Sequence, residues 1–186
     1  DITREDYVGN VVDAFDIDFS AGQAPVPKFS FQGKSLDTLT AEAYALGAPT
    51  LDATSPVIAR NMVVTIGTVS YKVANIALSI KHTLQRLTDV TTTGTKEILK
   101  TAREVTGSFS LMYEDKTVED AFQNDTESKV RVVCGSTAGN MFALRLPKLA
   151  YTEVPKGEEG GVYKYNVNFE SRPTTGEDEV TSLSLL

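Results

Sequence analysis

Two strictly alternating stretches lie close together in this chain, and a sheet is the fold that accommodates them. From Val73 to His82, Ala74, Ile76, Leu78, Ile80 and His82 fall on one face, with Val73, Asn75, Ala77, Ser79 and Lys81 on the other. A side-chain period of two is that of an extended strand, here half-buried on its Ile76 and Leu78 side. Alternation resumes from Arg103: Val105, Gly107, Phe109, Leu111 and Tyr113 face one way, while Glu104, Thr106, Ser108, Ser110 and Met112 face the other. The residues between, Thr83 to Ala102, are rich in Thr and Lys and read as a polar excursion, so the pair is expected to be a long-loop hairpin. Gly107, inside the second strand, is expected to mark a bulge or a close backbone approach.

After Tyr113 the spacing turns helical, with Val118, Ala121 and Phe122 on one side. Thr117 and Asp120 have the spacing of a capping box, which predicts a short helix over 117–123. A helix of two or three turns is unstable alone, so its apolar stripe is expected to pack on the sheet.

Most of the rest reads as strand. Val11, Phe15, Ile17 and Phe19 lead to a turn at Ala21-Gly-Gln-Ala-Pro, after which Phe29 and Phe31 continue the apolar pattern. Further strands are expected near Met62–Ile66, Lys129–Cys134, Met141–Glu153, Val162–Ser171 and Val180–Leu186, with Pro155 to Gly161 as a turn. The opening and closing hairpins look like divergent copies of one another. The expected division is 1–34 as the last hairpin of a preceding, truncated unit, 35–56 as a linker or arm, and 57–186 as a complete unit. Asp1 in place of an initiator Met adds the expectation that N-terminal sequence has been lost. Seven or so strands with one helix define a mainly β fold, a β-sandwich or partly open barrel with one short flanking α-helix.

Composition narrows the function. A net charge of −7 disfavours a protein that grips nucleic acid through phosphate contacts, whereas an acidic wall would let a duplex slide past. No apolar run approaches the roughly 18 residues of a membrane span. Cys134 is the single cysteine, so no intrachain disulfide can form, and its place among alternating valines is that of a small core residue. A nucleophilic Cys134 would need His82, the single histidine, as its base; a histidine ending a strand is more often structural. One His and one Cys do not make an ordinary zinc site, Gly157-Glu-Glu-Gly-Gly reads as a turn rather than a calcium cage, and no catalytic signature or phosphate loop is present. The expectation is a protein that is not an enzyme and holds no metal or cofactor.

Four segments carry a resemblance. They are Arg103-Glu-Val-Thr-Gly-Ser-Phe-Ser-Leu-Met-Tyr-Glu-Asp with its trailing helix, Met141-Phe-Ala-Leu-Arg-Leu-Pro-Lys-Leu-Ala-Tyr-Thr-Glu, Val162-Tyr-Lys-Tyr-Asn-Val-Asn-Phe-Glu, and the opening Tyr7-Val-Gly-Asn-Val-Val through Phe29-Ser-Phe-Gln-Gly-Lys. In this order they resemble the tail tube, or major tail, proteins of long-tailed bacteriophages. The resemblance implies a virion structural protein, made in the host bacterial cytoplasm and located in the virion tail, whose partners are itself and other tail proteins. It implies hexameric rings, or trimeric rings of a doubled subunit, with adjacent sheets joined into an inner barrel and the rings stacked as the conduit for DNA ejection. It also implies that the hairpin excursion touches the neighbouring ring, a role falling here on Val90, Thr91, Thr92, Thr93, Gly94, Thr95, Lys96 and Glu97. On the polar strand faces, Glu104 and Glu170 are the candidate acids lining the lumen, past which DNA moves without specific binding.

A reading from another class is a monomeric ligand-binding β-sandwich, such as a carbohydrate-binding or adhesin module. Sugar platforms need exposed aromatics; this chain has no Trp, and most of its 7 Tyr and 8 Phe are expected to face inward.

Overall fold

The computed structural model describes residues 3–4, 7–36, 40–41, 62–88, 90, 95–137, 140–173 and 182–185. Among them the elements are β1 (Thr3–Arg4), β2 (Tyr7–Val8), β3 (Val11–Ser20), β4 (Val26–Gln32), β5 (Ser35–Leu36), β6 (Thr40–Ala41), β7 (Val63–Ile66), β8 (Val69–Tyr71), β9 (Val73–Leu87), β10 (Glu97–Met112), α1 (Thr117–Gln123), β11 (Ser128–Thr137), β12 (Asn140–Glu153), β13 (Lys156–Glu159), β14 (Val162–Ser171) and β15 (Ser182–Leu185). The fold is mainly β, with a single short helix among the described residues. An 11-stranded sheet follows the order β4-β3-β9-β10-β14-β12-β11-β7-β8, with β13 beside β14 and β15 beside β12. This path ends at β4 and β8 without closing, the open form of the expected architecture. The expected linker at 35–56 lies largely outside the described residues.

By compactness the chain divides into two units. One contains Asp1–Phe15, Phe29–Ser55 and Lys81–Arg103, the other Asp16–Lys28, Pro56–Ile80 and Glu104–Leu186. The strands β3, β4, β9 and β10 each contribute residues to both units.

In the second unit the alternating faces become a core. Ile17, Phe19, Ile76, Leu78, Val105, Phe109 and Leu111 are buried, together with Val130, Val132, Leu144, Leu146, Tyr165, Val167 and Phe169. Ring pairs tie strands together, Phe19 with Phe142 at 5.0 Å and Phe109 with Phe169 at 5.5 Å. β10 and β14 pair antiparallel from Val105 opposite Ser171 to Met112 opposite Lys164, so Phe109 faces Val167 on the core side and Ser108 faces Asn168 on the other. Between β11 and β12 the register runs from Val130 opposite Leu146 to Ser128 opposite Leu149, leaving Pro147 and Lys148 against Lys129 alone. That bulge sits at a proline with no N–H to give to the ladder, and its extra residue returns Leu149 to the buried side that Leu146 occupies.

Where Pro155 to Gly161 reads as a turn, β13 instead pairs with β14 from Lys156 opposite Tyr165 to Glu159 opposite Val162. The turn shrinks to Gly160 and Gly161, whose φ angles of 62° and 79° suit a tight two-residue hairpin. The helix occupies 117–123 as predicted, but the capping box does not form. Its N-cap position is Lys116, which makes no side-chain cap, and the Thr117 amide donates to Asp115 Oδ1 at 2.9 Å, an acceptor the box had not used. Of its apolar stripe Val118 is buried, while Phe122 is 40% exposed.

In the first unit β2 pairs with β5 and β1 with β6, the Lys34 amide donates to the Val8 carbonyl at 3.0 Å, and Phe29 lies 4.9 Å from Phe15 and 6.2 Å from Phe31. The excursion expected over Thr83 to Ala102 is mostly strand: β9 continues to Leu87 and β10 starts at Glu97. The Lys96 amide donates to the Leu87 carbonyl at 2.7 Å, and Thr101 Oγ1 to the Thr83 carbonyl at 3.0 Å. Here no side chain is fully buried, so the hydrophobic alternation that reveals a strand in sequence disappears while backbone pairing persists.

Candidate functional site

The solvent-facing side of the second unit's sheet holds a groove of about 640 Å³, built mainly from the residues that alternate with the core. On β3 the order Phe15-Asp16-Ile17-Asp18-Phe19 buries the apolar residues and turns both aspartates outward. β9 contributes Ser79, β10 Glu104 and β14 Glu170, with Lys28 the single basic residue among the described residues lining the groove. Ser79 Oγ donates to Asp16 Oδ1 at 2.5 Å, and Arg172 Nη2 lies 4.0 Å from Glu170 Oε2. Next to it the polar faces of β10 and β14 are stitched by Ser110 Oγ donating to Asn166 Oδ1 at 2.7 Å, while Asn168 Nδ2 donates to Glu153 Oε2 at 2.9 Å.

Glu104 and Glu170, the two acids singled out from sequence, therefore line one surface. Asp16 and Asp18 join them, and sequence reasoning missed both. The signal was present as acids alternating with aromatics, but the strand neighbours of β3 are not written in its own sequence.

Of the candidate loop, Val90 is exposed, Thr91, Thr92, Thr93 and Gly94 lie outside the described residues, Thr95 and Lys96 precede β10, and Glu97 is its first residue. The loop is short because its flanks are strand.

Cys134 is fully buried, and burial pushes its thiol above the ordinary range, which disfavours the thiolate a nucleophile requires. His82 is pushed down, first by burial and then by Lys100 and Arg103, so it stays neutral near pH 7. Among the described residues no group of three or more His, Cys, Asp or Glu is placed to hold a metal ion, and no helix is long and apolar enough to cross a membrane. Among the described aromatics Phe15, Phe19, Phe109, Phe142, Phe169, Tyr71 and Tyr165 are buried, whereas Phe29, Phe31 and Tyr163 are more than half exposed. Phe29 and Phe31 lie on β4, at an end of the sheet path, where no further strand covers them among the described residues.

The groove and the hairpin offer surface rather than chemistry. Residues 1–184 match the model of a family described as phage tail tube protein. A search of curated proteins found no match. Among solved structures the SPP1 tail tube, determined by solid-state NMR and cryo-electron microscopy, is similar with 12% sequence identity and a TM-score of 0.36, over 92% of this chain and 74% of that one. The family match spans nearly every residue of the chain, which belongs to the phage tail tube protein family.

Proposed function

We propose that this chain assembles into rings, hexameric or trimeric with a doubled subunit, that stack into the conduit through which phage DNA leaves. As a tail tube protein it is a structural component of the virion tail and not an enzyme. The observation that carries the finer reading is the groove: Asp16, Asp18, Glu104 and Glu170 face solvent on one sheet surface, with Lys28 in the groove and Arg172 beside Glu170 as their basic neighbours. On the lumen wall such a surface repels phosphates and leaves a duplex no foothold. The segment Val90 to Glu97 is the inter-ring contact in this reading, other tail proteins cap the stack, and synthesis takes place in the host bacterial cytoplasm. The exposed aromatics are not a sugar platform lining this groove, so the ligand-binding alternative gains no support from them.

Negative-stain electron microscopy of the purified chain tests the assembly directly. Rings or tubes are the expected result; a dispersed monomer at high concentration overturns the reading.

A further inference from the structure

The charge of this chain is segregated. Residues 81–103 carry Lys81, Arg86, Lys96, Lys100 and Arg103 against Asp89 and Glu97, a basic stretch in a chain of net charge −7. This is the distal β9 and β10 ribbon, and Lys81, Arg86 and Lys100 are exposed and carry no ion pair among the described residues. The downward push of Lys100 and Arg103 on His82 registers the same positive potential. The ribbon also presents apolar surface, with Leu99 38% exposed.

β10 leads from this basic ribbon into the opposite kind of surface. From Glu114 to Glu127 the chain has six acids and one lysine. Two of the acids are matched internally, Glu119 by Lys156 at 3.0 Å and Glu127 by Lys148 at 2.6 Å. Glu114, Asp120 and Asp125 are exposed and carry no ion pair among the described residues. They share their corner with the exposed side chains of Met112, Tyr113 and Phe122. Each surface therefore pairs unmatched charge with exposed apolar groups, and the two signs are opposite.

We propose that the basic ribbon of one copy docks on the acidic α1 corner of another copy, a head-to-tail contact that repeats along a stack. This rests on the self-assembly reading above and names the two surfaces that meet. A contact between two different surfaces leaves each copy with one free surface of each kind, so it either closes into a ring or continues from copy to copy, according to the rotation it imposes. The apolar residues on both sides favour a protein partner over a nucleic acid, whose phosphates need only the cations.

The test uses two charge-reversed forms of the whole chain, checked for native circular dichroism. One carries Lys81→Glu, Arg86→Glu and Lys100→Glu; the other carries Glu114→Lys, Asp120→Lys and Asp125→Lys. Sedimentation velocity should show each form alone weakened in self-association by about tenfold or more, from three lost surface pairs and their like-charge replacements. An equimolar mixture should associate again, because each reversed surface then meets its complement. Wild-type association should weaken as salt shortens the screening length. Association of either form at the wild-type level, or failure of the mixture to recover, overturns the pairing while leaving self-assembly intact. Loss of duplex DNA retention in the first form, without loss of self-association, overturns it in favour of a nucleic-acid surface. A wild-type chain that stays monomeric at every salt concentration overturns the assembly reading and the pairing with it.

Discussion

Gly107 shows what one missing side chain does. A Cβ built on it would press on the Ala77 carbonyl oxygen and come within 2.5 Å of Phe169 Cζ. The first obstacle is backbone of the neighbouring strand, which cannot rotate away as a side-chain tip can. Gly107→Val is therefore expected to destabilise the fold by at least about 2 kcal/mol, despite the higher strand propensity of Val. Urea unfolding followed by circular dichroism measures this. A midpoint equal to or above that of the wild type would show that the close approach relaxes at little cost. Pro147 acts at the same scale: a residue without an N–H coincides with the bulge that keeps both Leu146 and Leu149 inside.

The elements are held by specific partners. α1 is fastened to the sheet by Glu119, whose Oε2 accepts from the Tyr165 hydroxyl at 2.9 Å and pairs with Lys156 Nζ at 3.0 Å. Lys156 and then Tyr165 hold its carboxyl below the ordinary carboxylate range, and burial together with Glu119 pushes the Tyr165 phenol up. An acid with a depressed pKa in the folded state lends stability that is present above its unfolded value, about 4.3, and is lost as pH falls through the folded value. Glu119→Gln should flatten this acid limb in thermal melts taken from pH 6 downward; an unchanged limb would assign it to another carboxylate. The hairpin tip offers a second test. The Lys96 amide already donates to the Leu87 carbonyl, the bond that closes a two-residue turn, so replacing residues 88–95 with Asn-Gly fits the ladder. The shortened chain should fold with unchanged circular dichroism yet fail to stack, because the described residues 88, 90 and 95 add nothing to the buried core. Tubes of normal length would refute an inter-ring role for this segment.

For the whole molecule the proposed ring assembly makes the charge on its inner wall the decisive quantity. If Asp16, Asp18, Glu104 and Glu170 face the lumen, an assembled-ring structure should show a net negative wall. Glu104→Lys with Glu170→Lys should slow DNA release from reconstituted tails at unchanged tube length, because added cations contact phosphates. Release at the wild-type rate would place these acids elsewhere. The outcome bears on the groove alone, since the membership of the chain in the tail tube family rests on residues 1–184 as a whole.

The alternating strands and the helix over 117–123 were legible in sequence because burying one face imposes a period that local residues must obey. Ile76, Leu78, Val105 and Phe109 each report their own burial in this way. Glu104 and Glu170 were readable as outward-facing for the same reason. Three things required the tertiary structure. The distal parts of β9 and β10 bury neither face, so nothing in their residues separates strand from loop. The Glu119 clamp joins groups 37 and 46 residues apart in the chain, Lys156 and Tyr165, which only the packing of α1 brings together. The union of Asp16 and Asp18 with Glu104 and Glu170 depends on strand order, and strand order is set by which edges pair across the whole sheet rather than by any single strand's pattern.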